Sequence, residues 1–170
     1  MIPLSSAASG GLTWSKIPRS RNYEFKLNGK VWGSLRRPGF WSSTFVAETE
    51  DGRWTFQRAG FFHTGAEILD SATGHQIATF KPGWGSRGML VFAGGEAFRF
   101  ECTGFWHPVW TVAAENGQPV LSLRPRGKTF DAPPGKLVSE SQLGLLMMFT
   151  LYRVLQAEED ASAAVMIAAS

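Results

Sequence analysis

From Asn22 to about Ser139, apolar and polar side chains alternate in short runs rich in Trp, Phe, Val, Ile and Thr. Period-two runs broken by turn residues are the pattern of half-buried β-strands. They predict strands near 23–27, 30–36, 43–49, 53–58, 64–70, 75–81, 88–92, 96–103, 107–114, 118–124, 127–130 and 136–139. Asn28-Gly29, Asp51-Gly52 and Asn116-Gly117 each stand between two runs. Such pairs favour two-residue hairpin loops, whose central positions both take positive φ. Gly94-Gly95 and Ser71–Gly74 mark further turns. Consecutive hairpins build an antiparallel meander, which must close or stack to hide its edges.

The runs recur. Arg53–His63 lines up with Ala97–His107 at an offset of 44, and Ile77–Pro82 with Val120–Pro125 at 43. Trp32–Arg36 matches Ile77–Lys81 at 45. A period near 44 residues holds about four strands. Three such repeats are too few for a propeller, so the pattern favours one closed barrel of about twelve strands.

After the strands the period changes. Ser139 is a candidate N-cap, with Gln142 three residues on as in a capping box. Leu143 to Leu155 is then apolar nearly all round, with no face fit for water. Such a helix must be buried in protein or lipid. About twenty apolar residues are needed to cross a bilayer core, and Arg153, Glu158, Glu159 and Asp160 interrupt this run early. A barrel of about eight strands is filled by its own side chains, while one of about eleven can surround a central helix, so helix and strands explain one another. The fold class expected is mainly β: a closed antiparallel barrel around a buried apolar C-terminal helix. Residues 1–20 read as an N-terminal extension, 21–157 as the barrel with its helix at about 140–157, and 158–170 as a tail with a weaker helical tendency.

Composition narrows the class. A chain of 170 residues, 44% hydrophobic and 18% charged, suits one domain with its own core. Its single cysteine, Cys102, excludes a disulfide framework and a Cys-rich zinc module. The start, MIPLSSAASGG, lacks the basic segment and long apolar stretch of a signal peptide. The expected setting is soluble and cytoplasmic, with peripheral contact at the inner membrane face and no transmembrane span.

A threefold barrel around an apolar helix resembles the tubby C-terminal-like superfamily, which includes tubby proteins, phospholipid scramblases and LURP-one-related proteins. The residues carrying the resemblance are GKVWGSLR, GHQIATFKP, GQPVLSLRP and the helix LGLLMMFTLYRVL, over roughly residues 20–157. It looks most like a small bacterial LURP-one or scramblase-like member. Tubby domains bind phosphoinositides through basic residues on the barrel's outside, so the resemblance implies a binding domain of that kind. Scramblases carry an acidic calcium segment before their helix, where this chain has only Asp131 in FDAPP.

Gly83–Gly88 matches G-x-G-x-x-G, but that motif has force only between a strand and a helix, and a strand follows here. His63 and His107 occupy one slot of two repeats. With His75 and Cys102 they could be imagined as metal ligands, yet pseudo-symmetry holds the first two a repeat apart, whereas zinc ligands must converge. Glu48, Glu50 and Asp51, and Glu158, Glu159 and Asp160, read as solvated charges at element ends. No set of nucleophile, base and orienting group can be named. The reading is of no enzyme, no cofactor and no metal.

Charge supplies the functional lead. The net charge is +3, with basic residues gathered in 1–40 and 124–136 and an acidic balance between. Arg36, Lys81 and Arg124 are equivalent by repeat, each ending a strand, with Arg37 and Arg126 close by. On one rim they would form a ligand-binding ring for anionic headgroups, with Trp41 and Trp84 at the membrane interface. The function expected is docking to anionic phospholipid or another anionic ligand. The alternative is a protein–protein interaction domain without lipid affinity. Nucleic acid fits poorly, because the one helix is apolar and offers no recognition face.

Overall fold

In the computed structural model, twelve strands among the described residues form one closed antiparallel barrel around one helix. It describes residues 12–39, 42–60, 64–133 and 138–169. The elements are β1 (Leu12–Lys16), β2 (Tyr23–Leu27), β3 (Lys30–Arg36), β4 (Phe45–Thr49), β5 (Gly52–Ala59), β6 (Gly65–Asp70), β7 (Gln76–Pro82), β8 (Gly88–Phe92), β9 (Ala97–Thr103), β10 (Val109–Ala114), β11 (Pro119–Arg124), β12 (Thr129–Asp131) and α1 (Glu140–Ala169). Each strand pairs with its sequence neighbours, and β1 closes on β12 at Thr13↔Thr129.

The strand count agrees with the sequence pattern, but its membership does not. Leu12–Lys16, expected to lie in an extension, is a full barrel strand paired with β2 from Leu12↔Leu27 to Lys16↔Tyr23. Its alternation is short: Leu12 and Trp14 are buried and Thr13 is exposed, but Lys16, on the buried face, is exposed at the strand end. The barrel therefore begins ahead of residue 21. The strand expected at 136–139 does not close the barrel. Residues 136 and 137 lie outside the described residues, Val138 is in a bend, and Ser139 already accepts the helix's first bonds.

The threefold repeat is visible in the register. A bulge follows Phe25 in β2, Ile68 in β6 and Val112 in β10, at equivalent places of the three repeats. Leu35, Phe80 and Leu123 point inward at matching positions of β3, β7 and β11, and Arg36, Lys81 and Arg124 next to them point outward. Of the three Asn-Gly or Asp-Gly pairs, only Asn28-Gly29 has both residues at positive φ, 50° and 81°. At Asp51-Gly52 the two-residue loop is Glu50-Asp51, since Thr49 pairs with Gly52.

Helix α1 fills the barrel. Ser139 Oγ accepts the Gln142 N–H at 3.2 Å, as the capping pattern requires. From Leu143 to Gln156 nearly every side chain is buried. Phe149 sits at the centre, its ring 5.4 Å from Phe56, 5.6 Å from Phe100 and 5.8 Å from Phe80. The buried Thr150 hydroxyl donates to Leu146 O at 2.6 Å, and Gln156 Nε2 donates to Tyr152 Oη at 2.7 Å, so the helix carries these polar groups inside without loss. The helix does not stop near 157 but continues to Ala169. Nothing breaks it: no glycine or proline follows Gly144, and alanine is the strongest helix former.

Candidate functional site: the rim where the helix leaves the barrel

Antiparallel neighbours fix two rims. The odd-numbered strands end at one, the even-numbered strands at the other. The helix enters past Glu96, in the β8–β9 loop, whose carboxylate accepts from Gln142 Nε2 at 2.6 Å. It leaves at the opposite rim, where Arg37 meets Glu159 and Arg58 meets Asp160. This exit rim carries the ends of β3, β7 and β11, and therefore Arg36, Lys81 and Arg124.

The expected basic residues divide into two groups. Arg36 is exposed but holds Glu48 at 2.6 Å. The side chain of Arg37 is only 8% exposed; it binds Glu159 at 2.5 Å and lies 4.7 Å over the Phe45 ring. Arg37 thus tethers the helix, and the expectation of a free surface cation there is corrected. Lys81, Arg124 and Arg126 are exposed and form no ion pair among the described residues. Lys128 joins them in the β11–β12 loop.

These cations ring the wall. β3, β7 and β11 are four strands apart, so their ends are separated by about 19 Å or more of barrel wall. One small headgroup cannot bridge them, whereas a plane laid on the rim meets them all.

The same rim is rich in exposed apolar groups. Trp84, in the β7–β8 loop, is 94% exposed. Phe105 and Trp106, in the β9–β10 loop, are 88% and 71% exposed and pack edge-to-face. Val165, Met166 and Ile167 are exposed on the part of α1 beyond the mouth. Among the described residues, Val31 is the one large exposed apolar side chain at the other rim. Lys81 and Trp84 also share an outer-wall groove of about 590 Å³ with Met89, Val91 and Arg99. Trp41 lies outside the described residues. Phe105-Trp106 and the helix end were missed as site residues, although Gly-aromatic-aromatic-His recurs at 60–63 and 104–107.

Two of the three acids at the mouth are paired. Arg37 and Arg58 take Glu159 and Asp160. Glu158 is held above its ordinary carboxylate range by burial. Just inside, Arg153 lies 4.3 Å over the Phe80 ring and donates to Gln156 Oε1 at 2.7 Å, its pKa lowered chiefly by burial.

The other candidates do not converge. His107 is at the exit rim and His75 in the β6–β7 loop at the opposite one, while His63 lies outside the described residues. Cys102 is half-buried, and burial pushes its thiol up. The Gly83–Gly88 segment is a hairpin loop closed by Gly83 N–H to Arg87 O at 2.8 Å. No helix of the described residues is long and apolar enough to cross a membrane.

No protein-family model, curated protein or solved structure matches this chain.

Proposed function

We propose that this protein is a non-enzymatic binding domain that docks on anionic phospholipid surfaces through the rim where its helix leaves the barrel. One observation carries the reading: the unpaired cations Lys81, Arg124 and Arg126 share that rim with the exposed Trp84, Phe105 and Trp106 and with an uncharged helix end. Each Lys or Arg near an anionic leaflet contributes about 1 kcal/mol, and Trp favours the headgroup level. From Asp160 to Ala169 the helix runs about 13 Å past its last tether, enough to reach through a headgroup layer. Pairing of Glu159 with Arg37 and of Asp160 with Arg58 lessens the repulsion that an anionic surface would otherwise meet there. The likeness to the tubby-like superfamily points the same way, toward peripheral contact at a cytoplasmic leaflet.

Cosedimentation with neutral and anionic liposomes tests it. Binding to anionic vesicles alone, weakened by salt, is expected. No binding under any condition would overturn the lipid reading in favour of a protein partner.

A further inference from the structure

The wall is not joined equally all the way round. Among the described residues, β1 meets β12 at one register pair, Thr13↔Thr129, whereas every other two neighbouring strands share three to six. β12 has three residues, against five or more in each of the other strands. A backbone bond beside that pair, from Trp14 N–H to Lys128 O, is long at 3.3 Å. Lys128 itself stands at φ 52°, in the left-handed region that a side chain disfavours. Packing does more of the joining. The buried Phe130 ring of β12 lies 5.0 Å from Trp14 on β1 and 5.8 Å from Phe25 on β2.

We propose that the β1–β12 seam is the latch of the barrel: the last seam to shut around α1 and the first to open in the folded protein. Opening there leaves β1 on β2 by five pairs and β12 on β11 by three, so the rest of the wall stays whole. It uncovers Trp14, Phe25 and Phe130 together. The helix supplies the reason for a latch. Because α1 fills the barrel, it could enter a shut wall only by threading its apolar side chains end-on past the mouth. A seam that parts at little cost lets α1 seat on an open sheet first. The latch is independent of what the exit rim binds.

Amide hydrogen exchange of the whole chain, read residue by residue by NMR in zero to low urea, is the test. The Trp14 amide and those of β12 should exchange about tenfold or more faster than those of β6 and β7, and should rise with urea along one shared line, the mark of a segment that opens as a unit. Pulse labelling during refolding should protect the β6 and β7 amides first and Trp14 after them. Thr13→Cys with Thr129→Cys, in a Cys102→Ala chain, adds a lock. Residues directly opposite in an antiparallel pair stand about 4.5–5.5 Å apart at Cα, within disulfide reach. Both positions are exposed, so the reduced pair should fold as the parent does. A disulfide also stabilises a fold as a whole, so the readout is the difference between the two sets of amides. Oxidation should slow Trp14 at least about tenfold more than β6 and β7. Exchange of Trp14 as slow as that of β6 and β7 would show that the seam parts only with the whole barrel. Rates indifferent to urea would reduce it to fraying of strand ends. Protection of Trp14 with or before β6 would reverse the order of closure, and equal slowing of all amides on oxidation would deny a separate opening. Each of these four results overturns the latch.

Discussion

The Arg37 guanidinium holds the Glu159 carboxylate at 2.5 Å across 122 positions of sequence. Arg58 does the same for Asp160 at 2.8 Å. Two pairs, one from the loop after β3 and one from the end of β5, thus fasten the helix where it leaves the barrel. Arg36 and Arg37 are neighbours in the chain, yet one lies exposed on the outer wall and the other is buried at the mouth, because β3 ends between them. Glu159→Gln should therefore strand a buried guanidinium. A loss of about 1–2 kcal/mol is expected in urea denaturation, more than a surface pair would give. An unchanged midpoint would show that the tether contributes nothing.

Phe149 is the residue on which three rings of the barrel wall converge. Its truncation to Ala would empty the space between Phe56, Phe80 and Phe100. The expected cost is about 3–5 kcal/mol. Phe149→Asp and Leu146→Asp would bury a charge with no partner, at a cost comparable to the whole stability of a domain. Neither should yield soluble folded protein, and a cooperative melt from either would refute the central-helix packing.

Gly33 faces the helix where the other repeats have Ala78 and Leu121. A Cβ there would come within 2.9 Å of Glu48 O and would also press on the Met148 side chain. Glycine is needed at this position by the close approach of the helix and of β4, since larger residues fill the equivalent strand positions. Gly33→Ala should cost about 1–3 kcal/mol, read as a lowered melting temperature.

Glu158 gives a pH dependence of known sign. Burial holds its carboxyl above the ordinary value of 4.5, and Tyr23 nearby is raised by its own burial and then by Glu158. Between 4.5 and the raised folded value, the folded state binds more protons than the unfolded one. Its contribution to stability is therefore complete below 4.5 and declines as pH rises through that window. Glu158→Gln should melt higher than the parent at neutral pH and alike well below the window. A variant less stable at neutral pH would show that the carboxylate has an attractive partner.

The rim makes a separable prediction about lipid. Lys81→Glu with Arg124→Glu should abolish the salt-sensitive part of vesicle binding. Trp84→Ser with Trp106→Ser should weaken the part that survives high salt. All four side chains are exposed, so the melting temperature should hold in both variants. Full binding by both would place the contact elsewhere.

The barrel was legible because alternation, turn residues and a period near 44 are local signals that each strand carries for itself. β1 escaped notice because its five residues alternate too briefly, and only pairing on both sides makes them a strand. Phe105 and Trp106 escaped because a repeated aromatic pair reads equally well as core or as surface. Their exposure depends on the loop lying beyond the last ladder bonds.

By itself the sequence determined eleven of the twelve strands, the repeat, the capped apolar helix and the need for a shell around it. These follow from side-chain periodicity and from the cost of exposing apolar surface. Only the tertiary structure decided which strand closes the barrel, which rim the helix leaves by, and which cations it leaves unpaired. Those depend on strand direction and on contacts between residues far apart in the chain. Arg37 shows this best, since the acid that claims it lies on the far side of the whole barrel sequence.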